Sequence, residues 1–152
     1  METTTKRKPG TPGPLSRWMQ RTMGARMVRK VRRGRANFMG MDVLVLTTVG
    51  RRTGQRRETA LSWFPDGPDS WLIVGSGGGS QNPDWHANLL ANPEAATIEL
   101  PGRGVLEVTP ERLEAEAYDG AWAKITQAQP RYAKYQAKSD RRYPVVRLTA
   151  RG

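Results

Sequence analysis

The sequence predicts a mainly β (α+β) fold, an antiparallel barrel of about six strands accompanied by a few helices. Apolar, β-branched runs such as MDVLVLTTVG (Met41 to Gly50) and WLIVGS (Trp71 to Ser76) have strand composition and are bounded by Gly, Pro and Asp clusters. The runs follow one another without the strand–helix alternation of a doubly wound sheet. A length of 152 residues suits one domain with a single core.

Residues 1–14 are rich in Pro, Gly and Thr and offer too little apolar surface to offset the entropy of ordering them, so a disordered tail is expected. Over residues 15–36 the pattern changes. Leu15, Trp18, Met19, Thr22, Met23, Met27 and Val31 recur at helical spacing, and arginines and lysines take most of the other positions. This basic amphipathic helix suits either an anionic membrane surface, with Trp18 in the interface, or its own domain, with a solvated basic face.

Residues 37–152 form the expected domain. Met41 to Gly50 and Arg57 to Phe64 read as a hairpin joined by an arginine loop, and PDGPDS (Pro65 to Ser70) as a turn before the strand Trp71 to Ser76. A helix then follows, with Asn82 as N-cap and Pro83 at its first position, ending before Asn92-Pro93. AATIEL and GVLEVT make a second hairpin around Pro101-Gly102. Thr109-Pro110-Glu111 is expected to open another helix, with Leu113, Ala117, Ala121, Trp122 and Ile125 as its apolar stripe. A short helix from Arg131 to about Lys138 and a last strand, Tyr143 to Leu148, complete the chain.

Residues 1–36 hold 11 of the 25 Lys/Arg and one acid, Glu2, so nearly all of the net charge of +11 belongs to the arm. No run approaches the ~18 apolar residues of a membrane span, and the start lacks the apolar segment of a secretory signal. A cytoplasmic protein is expected, peripheral on the inner face of the membrane if the helix binds lipid. Without cysteine there is no disulfide, thiolate metal site or cysteine nucleophile. The single histidine, His86, is better explained as structural than as a metal ligand. No G-x-S-x-G elbow occurs, and GRRTGQRR lacks the Lys-Ser/Thr ending of a P-loop.

Two features point to an anionic ligand. Arg51, Arg52, Arg56 and Arg57, with Thr53 between Gly50 and Gly54, offer guanidinium forks and loop N–H groups suited to phosphate or carboxylate oxygens. GSGGGSQNPDW, Gly75 to Trp85, runs a glycine loop into a helix N-terminus, where an anion or a planar ring edge could approach. Together they describe a pocket for a long anionic ligand.

VLTTVGRRTGQRRETAL, IVGSGGGSQNPDWHANLLANP and QPRYAKYQAKSDRRYPVVRL resemble, in order and spacing, three signature blocks of the deazaflavin (F420)-dependent nitroreductase and quinone reductase family, over roughly residues 42–149. The resemblance implies a split β-barrel that binds coenzyme F420, whose phosphate and oligoglutamate tail are anionic. It also implies hydride transfer from the reduced deazaflavin to a quinone, menaquinone-like, or to a nitroaromatic acceptor. By the same motifs Arg51, Arg52, Thr53 and Arg57 resemble the phosphate and tail contacts. Ser76, Gly77, Gly78, Gly79, Trp85 and Asn88 resemble the segment lining the ring, with Ser76 at its reactive edge. Tyr132 and Tyr135 match the substrate side of the pocket, Tyr132 as hydrogen-bond or proton donor. The chain departs from some members at Gly77, where a lysine is frequent, and at Ser62, where a tyrosine can occur; these bear on tail affinity and on the substrate pocket. Two alternatives stand beside this reading: the same barrel loaded with FMN, and a non-catalytic module that holds nucleic acid or another polyanion. The arm has one aromatic residue near its charges, Trp18, which is poor for the stacking a single-strand binder uses.

Overall fold

A computed structural model of the chain describes residues 25–34, 37–38, 40–77 and 81–151. In chain order the elements are helix α1 (residues 25–32), strands β1 (Asn37–Phe38), β2 (Met41–Val49), β3 (Arg56–Ser62), β4 (Phe64–Pro65) and β5 (Ser70–Val74), and helix α2 (Asp84–Ala91). A 3-10 turn (Pro93–Ala95), strands β6 (Thr97–Leu100) and β7 (Gly104–Arg112), helices α3 (Ala115–Ala128) and α4 (Arg131–Ala137) and strand β8 (Val145–Ala150) follow. Six of these strands are longer than two residues.

Every strand pair is antiparallel, in the order β1-β2-β6-β7-β8-β5-β4, with β3 also beside β2. The sheet curls because two stretches change neighbour midway. Strand β7 pairs with β6 over Gly104–Glu107 and with β8 over Val108–Arg112. The stretch from Arg56 to Pro65 does the same: β3 pairs with β2 as far as Ser62, the chain bends at Trp63, whose N–H donates to Asp42 O (3.1 Å), and β4 continues beside β5. That bend joins the β2 side of the order, through β3, to its β4 end and makes the sheet a barrel.

Burial on both faces explains the unbroken apolar run of β2. Leu44 and Leu46 join Ile73, Ile98, Val108, Val146 and Leu148 in one cluster, which Trp85 and Leu89 of α2 complete. Val43 and Val45 alternate with them and meet Val28 and Val31 of α1. A third cluster forms where Tyr118, Ala121 and Ile125 of α3 and Tyr132 of α4 pack on Leu72, Val74 and Val145. Asp66, in the β4–β5 turn, pins this layer: its buried carboxylate accepts from Lys124 Nζ of α3 (2.8 Å) and from Arg147 Nε of β8.

Three local expectations are corrected. Thr109-Pro110-Glu111 opens no helix; it is part of β7, and the N–H of Leu113 still donates to Val145 O (3.0 Å). Past Val108 this strand has a neighbour on one side only, where a residue without an N–H is tolerated. Helix α3 therefore starts at Ala115 and buries Tyr118 where the expected stripe had the exposed Ala117. The described part of the basic helix ends at residue 32, with a turn through Gly34 (φ 76°), rather than at 36. Val28, outside the expected stripe, is buried beside Val31. The tail over residues 1–14 and the first part of the amphipathic helix, with Trp18, lie outside the described residues.

Candidate active site

The arginine loop is a tied structure between β2 and β3. Gly50 N–H donates to Gln55 O (2.7 Å), and Gly54 N–H donates to Gly50 O (2.9 Å). Gly54 turns with φ 69°, and a Cβ at Gly50 would sit 2.9 Å from Thr53 Oγ1, so the two glycines answer different demands. Thr53 Oγ1 accepts from Gln55 N–H (3.3 Å), which turns this hydroxyl inward.

Within the loop the arginines divide. Arg51 donates its backbone N–H (3.1 Å) and Nη1 (2.8 Å) to Asn88 Oδ1, and Nη2 lies 3.5 Å from Asp84 Oδ1. Its guanidinium therefore clamps the loop to α2. Arg52, Arg56 and Arg57 are exposed and have no carboxylate partner among the described residues. Charge-assisted bonds to an external anion are open to these three.

Helix α2 begins one residue later than expected. Pro83 is its N-cap, and Asn82 instead offers Oδ1 to Arg141 Nη1 (3.1 Å). Trp85 lies in the barrel core, edge-on to His86 (5.9 Å between centroids), and Asn88 is buried with its oxygen engaged by Arg51. His86 is buried too; desolvation first, then the charges of Arg112 and Arg141, hold its pKa below the ordinary value and the ring neutral. Among the described residues no cluster of three His, Asp or Glu side chains could hold a metal ion.

The glycine loop leaves β5 at Gly75, whose N–H donates to Pro144 O (2.9 Å); a Cβ there would lie 2.7 Å from Pro144 Cγ. Ser76 is half-buried and Gly77 exposed, and Gly78 and Gly79 lie outside the described residues. Sequence reasoning missed the residue that shapes this loop. Arg141 donates Nη1 to Gly75 O (2.8 Å) and Nη2 to Ser76 O (3.2 Å) and Gly77 O (2.6 Å). Its place in the block SDRRYPVV, between helix and strand, was the available signal.

At the other end of the β2–β3 ladder, Tyr132 of α4 is buried edge-on between Phe64 (5.6 Å) and Tyr135 (5.8 Å). Its hydroxyl faces Met41 Sδ (3.8 Å), a weak acceptor, with Ser62 as a polar neighbour. Burial raises the phenol's pKa, so it remains a donor at neutral pH. Tyr135 is exposed, with its carbonyl accepting from Tyr143 Oη (3.1 Å). A cavity of about 250 Å³ between Trp63, Trp71, Leu100 and Arg103 contains none of the predicted site residues.

The described residues contain no helix long and apolar enough to cross a membrane. The family model for F420H2-dependent quinone reductases matches residues 17–150. An F420H2-dependent quinone reductase of Mycobacterium tuberculosis is 34% identical over 148 residues, covering 90% of this chain and 99% of that protein. Among solved structures, an F420-H2 dependent reductase (FDR-A) superposes with a TM-score of 0.59 at 29% identity, over 70% of this chain and 92% of its own. A second structure, described as a domain-swapped dimer, gives a TM-score of 0.64 at 24% identity over 88% and 98%, and supports the fold alone. The expected split barrel and the resemblance read from the three sequence blocks both hold, and the chain belongs to the F420H2-dependent quinone reductase family, oxidoreductases that use coenzyme F420.

Proposed function

We propose that this chain reduces a menaquinone-like quinone with reduced F420 laid along the β2–β3 side of the barrel, its tail at the arginine loop and its ring towards α4. The observation that carries this placement is the loop itself. Three guanidiniums without carboxylate partners among the described residues stand on a backbone tied at both glycines, and a phosphate and an oligoglutamate tail would supply the missing anions. From Val49 to Val43 strand β2 runs ~20 Å at ~3.3 Å per residue, a separation that suits a cofactor charged at one end and reactive at the other.

In this reading Arg52, Thr53 and Arg57 hold the phosphate and tail, while Arg51 and Asn88 fix the loop to α2. Ser76 and Gly77, with Gly78 and Gly79, line the ring. Trp85 supports α2 from the core. When bound, the reduced deazaflavin supplies a hydride. The protein's part is orientation, exclusion of water and a donor where negative charge develops. Tyr132 is the donor: its hydroxyl is protonated, and its contact with Met41 sulfur is weak enough to yield to a quinone oxygen. Ser62 and Tyr135 shape the acceptor side, and nitroaromatics are adventitious acceptors of the same pocket.

Helix α1 and the turn that follows it expose Arg26, Arg29, Lys30 and Arg33 while Val28 and Val31 face β2. That cationic face favours anionic lipid headgroups and would hold the pocket near a membrane quinone at the inner face of the membrane.

Titrating the protein into F420 by fluorescence, then adding menadione to the reduced complex, tests the reading. Saturable binding with enzyme-dependent return of the oxidised coenzyme's absorbance is expected. Absence of F420 binding where FMN or nucleic acid binds would overturn it.

A further inference from the structure

We infer that Arg141 is a positioning residue that turns the backbone N–H groups of Ser76 and Gly77 into a paired donor site for a carbonyl oxygen on the bound cofactor's ring. The inference rests on the reading that this loop lines the ring. Its basis is the geometry of three consecutive carbonyls, Gly75 O, Ser76 O and Gly77 O, all accepting from one guanidinium at 2.6–3.2 Å. In a trans peptide the C=O and the next residue's N–H point in opposite directions. With the carbonyls of Gly75 and Ser76 facing Arg141, the N–H groups of Ser76 and Gly77 face away from it. Neither has a hydrogen-bond partner among the described residues. Two adjacent N–H groups turned to one side form a small concavity for an oxygen that carries partial or full negative charge. No cis peptide occurs among the described residues.

The guanidinium is itself held in place. It lies 4.9 Å from the centroid of the Tyr143 ring and donates to Asn82 Oδ1. Gln136 of α4 closes the segment from both sides: its Nε2 donates to Arg141 O (2.7 Å), and its Oε1 accepts from Tyr143 N–H (2.8 Å). Tyr143 Oη donates to Tyr135 O on the same helix. The donor pair is thereby referenced to α4, the helix that carries Tyr132 and Tyr135, so ring and acceptor are registered through one side chain. A lysine cannot replace this arrangement, because a single ammonium does not present the planar fork that meets three carbonyls.

The experiment compares Arg141→Ala, Arg141→Lys and Gly77→Val. A Cβ at Gly77 meets nothing within 4 Å, so the valine variant should fold. F420 affinity by fluorescence, the split of kcat against KM for menadione and melting temperature are read for each. For both Arg141 variants we expect F420 affinity to fall about tenfold, with kcat lowered and millimolar guanidinium restoring much of the alanine variant's affinity. Full affinity in Arg141→Lys would reduce the role to charge and overturn the inference, and so would a fall in melting temperature with affinity and kcat intact. Should Arg141→Ala not fold, the lysine variant decides the matter alone. Gly77→Val separates the two levels: if it weakens F420 binding while the Arg141 variants do not, only the inference fails. If none of the three alters binding, the placement of the ring against this loop fails with it.

Discussion

The loop between β2 and β3 and the segment between α4 and β8 both carry adjacent arginines, and the fold uses them in opposite ways. Arg52, Arg56 and Arg57 stand on a hairpin end with no carboxylate partner among the described residues, whereas Arg141 is engaged by three carbonyls and an amide, and Arg142 lies over the Tyr118 ring at 3.5 Å. What separates the two is the supply of acceptors. A hairpin closed by its own glycine bonds has few spare carbonyls, so its cations project. The glycine loop at 75–77 has carbonyls outside any strand ladder, and the nearest guanidinium takes them. Cations of the first kind should act on ligands, and those of the second kind on the protein.

The sharpest break of that comparison is at the loop. Arg52→Ala combined with Arg57→Ala should weaken F420 binding by about 100-fold, ~1.4 kcal/mol or more for each charge-assisted contact, and flatten its salt dependence. Unfolding free energy should move by less than ~0.5 kcal/mol, since exposed cations without partners contribute little to the fold. Unchanged affinity would move the tail elsewhere.

Arg147 provides the inward counterpart. Arg147→Ala leaves the buried Asp66 carboxylate with Lys124 alone, and should cost about 2 kcal/mol of stability with F420 affinity intact. The pH dependence carries a sign. Burial opposes ionisation of Asp66, but the hydrogen bonds from Lys124 and Arg147 outweigh it and hold the folded pKa below the ordinary value. The contribution is therefore present above the unfolded carboxyl's pKa of about 4 and is lost as pH falls through the lower folded value. Urea unfolding across the acid range should show a shallower acid slope in Arg147→Ala; parallel slopes would remove Asp66 as the cause.

The smallest effect belongs to a neutral donor. Tyr132→Phe should lower kcat for menadione roughly tenfold, as loss of one hydrogen bond to developing charge implies, and leave F420 affinity and stability nearly unchanged because its bond to Met41 is weak. Full turnover at saturating acceptor would leave Tyr132 as a wall of the pocket. For the membrane surface, replacing Arg26, Arg29 and Lys30 together with glutamine is the informative change: it discharges the outward face of α1, and binding to anionic vesicles should fall. Removing residues 1–36 instead would strip Val28 and Val31 from β2 and confuse lipid binding with loss of packing.

Local chemistry determined much of this protein. The strand runs, the hairpins at the arginine loop and at Pro101-Gly102, the helix ending before Asn92-Pro93 and the density of unmatched charge between Gly50 and Arg57 are all legible, because periodicity, turn residues and charge repulsion act over a few positions. The three blocks that carry the family resemblance are likewise local. Tertiary structure decided the rest. Pro110 continues a strand because β8 lies beside it, and Asn82 leaves its cap because Arg141 claims the oxygen. Arg51 turns inward to Asn88, 37 residues away, and Arg141 reaches the glycine loop across 66 residues. Such choices depend on which acceptors folding brings within about 3 Å, and no short window of sequence contains both partners.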